Sequence, residues 1–276
     1  MKLGKIGKVK IKLHRKVVGT IKRATIIKDI DQWYVAFSVE QMVEKQHLAQ
    51  KEKQGTEAVG VDMGICSLIV LSNGETVPNP KFLKQSVERI KHLQKELSRE
   101  KKGSKNREKA KITLAKAWRK VRRQRVDFAH KISHALSEHS STIVFEDISI
   151  NNMVKNHNLA SAILDSTWGK LRQLTAYKAE RRGGHVIKIK PSGTSQKCSG
   201  CGEVVPKSLS KRVHQCMKCR LVLDRDINAA RNILKAGLEQ AAHAETEPLL
   251  VKRISKFQSR KQEANESLFV GSSLLP

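Results

Sequence analysis

The chain has 276 residues, room for one well-filled core and smaller modules, and carries 54 Lys and Arg against 26 Asp and Glu, a net charge of +28. That excess favours a polyanionic partner, nucleic acid above all, while an aromatic content of 4% argues against single-strand binding built mainly on base stacking. No apolar run approaches a signal peptide at the start or the ~20 residues of a membrane span later, so a soluble, cytoplasmic protein with no membrane partner is expected.

Residues 1–54 read as short strands. Val9, Ile11 and Leu13 alternate with lysines, and Trp33, Val35, Phe37 and Val39 alternate after the turn "KDIDQ". They predict part of a small β-barrel with one basic face, since residues 1–30 carry ten positive side chains and one negative. Nucleic-acid contact and a lysine-rich edge that deters aggregation are both open readings of that face. "VEKQHLAQKEKQGTE" reads as a linker.

"EAVGVDMGICSLIVLSNGETV" predicts a hairpin with Asn73-Gly74 as its turn. Its first strand is almost wholly apolar except for Asp62, and a buried aspartate needs a paired charge or a cation. Residues 81–139 predict two helices joined at "KKGSKN", an antiparallel pair, with Leu83, Val87, Ile90, Leu93 and Leu97 at helical spacing in the first. Within it, residues 81–127 hold 18 positive and five negative side chains, too one-sided for pairing along a helix. Arg119, Lys120, Arg122, Arg123 and Arg125 are therefore candidate phosphate contacts.

"STIVFEDISINNM" predicts a buried strand ending in Glu146-Asp147. A helix with a glycine stop follows in "STWGKLRQLTAYKAERRGG", then a strand in "HVIKIK". Four of the five cysteines lie within 22 residues as two Cys-x-x-Cys pairs, Cys198/Cys201 and Cys216/Cys219, with 14 residues between them. Two such turns complete a tetrahedral thiolate site and predict a zinc ribbon with structural Zn²⁺. A redox motif comes as one Cys-x-x-Cys, not as two turns with basic residues between. Cys66, the fifth, reads as a small core residue. "DRDINAARNILKAG" predicts a helix entered through Asp224 or Asp226. From residue 239 no sustained period remains, and a mostly disordered tail is expected.

Asp62, Glu146 and Asp226 are separated by 84 and 80 residues, so only the fold can unite them. Together they would repel one another unless cations bound between them, and hard oxygen ligands suit Mg²⁺ or Mn²⁺. Singly, Asp226 reads as a helix cap and Glu146 as a surface acid.

"VGVDMGICSLIVLSNG", "IVFEDISINNM" and "TSQKCSGCG…HQCMKC…DRDINAARNI" resemble, in that order, the first and second RuvC segments and the zinc ribbon with third segment of the TnpB (OrfB) family of insertion-sequence proteins. The resemblance spans residues 1–238. It implies an α/β, RNase H-like (RuvC) core with an inserted helical hairpin and a zinc ribbon, preceded by a partial β-barrel. It also implies a DNA endonuclease with Asp62, Glu146 and Asp226 as catalytic magnesium or manganese ligands and a transposon-derived guide RNA as partner. Gln196, Lys197 and Arg225 join the candidate nucleic-acid contacts, and Thr194, Ser195 and Gln196 are placed near the metal site. The expected domains are 1–54, 55–190 with the helical hairpin 81–139, the ribbon 191–223, the last core helix 224–238 and the tail 239–276. Family members are usually longer at the N-terminus, so this chain is expected to start inside the barrel. A nucleic-acid-binding transposon product without productive cleavage is the second reading. A zinc-ribbon transcription factor is the third, and it leaves Asp62 and Glu146 idle.

Overall fold

The computed structural model describes residues 2–4, 7–41, 57–191, 193–208 and 210–245. The expected linker at 43–57 lies outside them but for its last residue, and so does the tail from residue 246. The described residues divide into two compact units, one within residues 1–44 and 90–118, the other within residues 45–89 and 119–246.

In the first unit, β1 (Lys2–Leu3) pairs with β2 (Gly7–Lys8), and β3 (Thr20–Asp29) pairs with β4 (Gln32–Glu40). Val35 and Phe37 form a small core with Ile11, Val17 and Val39. The strand expected over Val9–Leu13 is not formed: Ile11 reaches the core from irregular backbone, since alternation marks a face without fixing an extended conformation. On the hairpin, Lys22 pairs with Glu40 at 2.7 Å and Lys28 lies over the Trp33 ring at 5.4 Å. The predicted helices are α1 (Phe82–Arg99) and α2 (Lys105–His139), both of which contribute residues to each unit. Their turn is closed by Arg107, which donates to the carbonyls of Leu97 and Glu100 at 2.7 and 2.9 Å, and by Ser104, whose hydroxyl accepts from the N–H of Arg107.

The second unit is built on a mixed five-stranded sheet of order β7-β6-β5-β8-β9. Its strands are β5 (Glu57–Met63), β6 (Ser67–Leu71), β7 (Thr76–Pro78), β8 (Ser140–Glu146) and β9 (His185–Ile189). β8 is parallel to β5 and β9, whereas β5, β6 and β7 run antiparallel as a meander. The single hairpin expected over 57–77 is thus three strands. Asn73-Gly74 turns β6 into β7, and an earlier bend at 64–66 turns β5 into β6. That bend exposes Cys66, which is not a core residue.

Period-two alternation sorts the side chains. Val59, Val61 and Met63 of β5 and Ile143 and Phe145 of β8 pack on one face with Leu136 of α2. Ile163 of α4 (His157–Ser166) and Trp168 and Leu171 of α5 (Trp168–Arg181) complete that core. Val144 and Ile189 face the other way, onto Ile233 of α6 (Arg225–Glu245). The sheet is covered on both faces, which is why its central strands read as apolar runs. Two short helices escaped the sequence pattern, α3 (Ile150–Met153) and α4, since Asn-rich "INNMVKNHN" masks their periodicity. α6 also runs past residue 238 to Glu245, because "EQAAHAE" consists largely of good helix formers. The antiparallel β10 (Val213–Gln215) and β11 (Val222–Asp224) form a separate two-stranded sheet before α6. Among the described residues no helix is long and apolar enough to cross a membrane.

α6 lies directly on β5 at Gly60. A Cβ there would stand 2.0 Å from the carbonyl oxygen of Ala230 and 2.7 Å from the N–H nitrogen of Leu234. Gly60→Val is expected to cost about 3 kcal/mol, since backbone cannot move aside as a side-chain tip can. Urea unfolding followed by circular dichroism measures it.

Candidate active site and cysteine cluster

The alternation that buries Val61 and Phe145 on one face turns Asp62 and Glu146 to the face that α6 covers. Parallel pairing of Val61 with Phe145 sets the next residues, Asp62 and Glu146, side by side at the ends of β5 and β8. Asp226 stands in the first turn of α6, one turn before the Ala230 carbonyl that meets Gly60. The three acids predicted from sequence therefore share one end of one sheet face.

Their electrostatics agree. Asp62 is pushed up from 3.8 to about 7, first by burial and then by the charges of Asp226 and Glu146, with Arg225 opposing. Asp226 is held by two arginines. Arg225 reaches its Oδ1 through Nε at 3.0 Å and Nη2 at 2.9 Å, and Arg212 reaches Oδ2 at 3.3 Å. Glu146 accepts a hydrogen bond from the Thr194 hydroxyl on Oε1, and its main-chain carbonyl accepts from Arg172 at 3.1 Å. The neighbouring acids point elsewhere. Asp147 pairs with Arg172 at 3.1 Å, and Asp224 caps α6 by accepting from the N–H groups of Asp226 and Ile227 at 2.8 and 3.2 Å. The choice left open in sequence is thereby made: Asp224 caps the helix, and Asp226 faces the acids.

Among the described residues, the four cysteines are the group whose ligand atoms all lie within 4.8 Å of one another. Cys198 and Cys219 sulfurs are 3.5 Å apart, and those of Cys201 and Cys216 are 3.6 Å apart. Bonds of about 2.3 Å to zinc give a tetrahedron with edges of about 3.8 Å, so the four thiols fit such an ion closely. All are free. The backbone N–H of Cys219 bonds the Cys216 sulfur and, against the cost of burial, brings its thiol down to about 7. The cluster is tied to α6 by Asn228, which is fully buried. Its amide accepts from Ser199 N–H at 2.9 Å and donates to the Lys197 carbonyl at 2.7 Å.

The basic candidates divide. Lys120, Arg122 and Arg123 are exposed on α2, as are Gln196 and Lys197 before the first cysteine turn, and Arg119 is half-buried. Arg125 is committed to the interior, its Nη2 2.7 Å from Asp165, whose carboxylate also accepts from the Leu83 N–H at the start of α1. Arg225 is likewise spent on Asp226. Cys66 accepts from Arg212 at 3.2 Å. Arg172, Arg212 and the two asparagines of α6 went unread in the sequence. The asparagines had a signal: Asn228 and Asn232 recur at i,i+4 on the face that also bears Ala229 and Ile233, where the helical period calls for apolar residues.

Two family models match the chain, one described as "Probable transposase" (OrfB of IS605) over residues 36–157 and one described as "Cas12f1-like, TNB domain" over residues 168–233. A protein of Streptomyces pristinaespiralis described as "Putative RNA-guided DNA endonuclease" is 42% identical over 68% of this chain and 47% of its own length. "Putative RNA-guided DNA endonuclease InsQ" of Escherichia coli (strain K12) is 30% identical over 85% of this chain and 61% of its own length. The chain thus spans about half the length of these relatives. A solved CRISPR-Cas12f ternary complex aligns over 73% of this chain and 42% of its own with a TM-score of 0.49 at 21% identity.

Because Asp62 keeps its proton in the fold up to about pH 7 but loses it near 3.8 when unfolded, folding takes up a proton in that window. Stability contributed by this group falls as pH rises from about 4 to 7 and stays low above. In cation-free buffer at pH 8, Asp62→Asn is expected to stabilise the protein by up to about 4 kcal/mol, with the gain vanishing below pH 4. Thermal melts across pH test the sign. If the cysteines hold a metal, Cys198→Ser is expected to lose it and to melt the β10–β11 segment, read by metal analysis and by hydrogen exchange of residues 213–224.

Proposed function

Because the chain belongs to the TnpB (OrfB) family, we propose that it is a metal-dependent DNA endonuclease with an RNase H-like (RuvC) core, directed by a guide RNA. The single observation that carries this reading is the meeting of Asp62, Glu146 and Asp226 on one sheet face, where burial and mutual repulsion drive Asp62 to about 7. Carboxylates are expensive to collect in this way, and divalent cations offset the cost. The donor set is all oxygen, which fits Mg²⁺ or Mn²⁺. When bound, such ions would polarise a phosphodiester and lower the pKa of the attacking water.

The chain's own residues prepare that chemistry. Thr194 and Arg172 fix Glu146 at its side chain and its carbonyl. Arg212 and Arg225 balance the charge of Asp226. Placed beside the acids, the guanidinium groups of Arg212 and Arg225 would also meet the charge of a phosphate. The four cysteines would hold Zn²⁺ and make residues 191–223 a zinc ribbon, closed to water and structural in role. Residues 1–54 would form part of a barrel. Lys120, Arg122, Arg123, Gln196 and Lys197 would follow a nucleic-acid backbone, with Arg119 as a further contact and the RNA guide named for the relatives as the expected partner.

Nicking or linearisation of a supercoiled plasmid with Mg²⁺ or Mn²⁺, with and without co-purified RNA, tests the proposal. Cleavage is expected to require the cation and to fall more than about 100-fold in Asp62→Ala. Cutting that survives Asp62→Ala would overturn the assignment. A folded protein that binds nucleic acid but leaves the plasmid intact would reduce its role to binding.

A further inference from the structure

Between β9 and Cys198 the chain makes a tight turn. Gly193, at φ +61°, accepts from the N–H groups of Gln196 and Lys197 at 2.9 and 3.0 Å. That left-handed backbone suits glycine, and the turn carries the Thr194 hydroxyl onto Oε1 of Glu146. The turn is itself held from α6. Asn232 donates through one amide nitrogen to the carbonyls of Thr194 and Lys197, each at 2.7 Å. Asn228, one helical turn earlier, holds Lys197 and Ser199. A continuous set of hydrogen bonds thus runs from the first cysteine turn, through two asparagines of α6, to the carboxylate of Glu146.

We infer that Thr194 is a positioning residue for Glu146, with Asn232 as its anchor, so that the folded cysteine cluster sets the aim of this carboxylate. The inference rests on the reading of Asp62, Glu146 and Asp226 as a cation site. A glutamate at a strand end has three side-chain torsions to fix before it can serve as a ligand, and fixing them costs conformational entropy. A hydroxyl engaged on Oε1 fixes them in advance, and Oε2 would remain for a cation. Valine has the shape of threonine without the donor, and serine keeps the donor without the methyl. The pair separates hydrogen bonding from packing.

The test is Mn²⁺ binding to the full chain, followed by electron paramagnetic resonance and calorimetry, with zinc content and melting temperature recorded for each variant. Thr194→Val is expected to weaken Mn²⁺ binding about 10- to 100-fold with zinc retained, and Thr194→Ser to restore it. Asn232→Ala, which keeps the hydroxyl but frees its backbone, is expected to weaken it about 2- to 10-fold. If Thr194→Val and Asn232→Ala bind Mn²⁺ as the wild type does while Asp62→Asn abolishes binding, the positioning role is wrong and the cation site stands. If Asp62→Asn also leaves binding unchanged, the cation site itself is wrong. Loss of zinc or of folding in Thr194→Val without rescue by Thr194→Ser would make the residue structural and overturn the inference.

Discussion

At Gly60 the backbone of α6 touches the backbone of β5 with no side chain between them, and the rest of the site is arranged around that contact. A strand and a helix ordinarily stand apart by the thickness of their side chains. Removing one Cβ lets Ala230 and Leu234 settle against the sheet. Asp226 is then one turn away at the helix start, and Asp62 two residues away along the strand. Glu146 follows from parallel pairing with β8. Three acids from distant segments meet because one residue has no side chain.

Collecting them works against stability. Asp62 would rather hold a proton than share the site as a carboxylate, while Asp226 is paired with two arginines. Clustered carboxylates of this kind are costly without a compensating charge, and the proposed cations would supply one. Arg212 comes from the segment between the cysteine pairs and Arg225 from the first residue of α6, so the charges that make the acids tolerable depend on both elements being in place.

Much of this was legible in the residues. The spacing of the cysteines, the lone Asp62 in an apolar strand and the acids ending "IVFED" each announced themselves by breaking a local pattern. What could not be read were the consequences of contact. Arg125 looks like its neighbours in a basic helix, yet Asp165, forty residues away, draws it inward. Cys66 sits in an apolar stretch that suggests burial, but the bend after Met63 carries it out. Asp224 and Asp226 are equivalent as helix starters until the cap is seen. Val9–Leu13 alternates like a strand and remains irregular, because alternation marks which side chains share a face and does not by itself fix the backbone.

The cysteine cluster stands between β9 and α6 for a reason of chain entropy. The connection runs over residues 190–224, far longer than the few residues usual between a strand and the next helix. Left loose, it would give α6 many registers against the sheet, and each would move Asp226. The four cysteines gather that length into one compact body, and Asn228 and Asn232 fasten the body to the helix it precedes. The same fastening reaches Thr194 and, through it, Glu146. A device that shortens a loop therefore ends by touching two of the three acids, Asp226 through helix register and Glu146 through a hydroxyl. The cysteine cluster, though it lies apart from the acids, is thus bound up with their geometry.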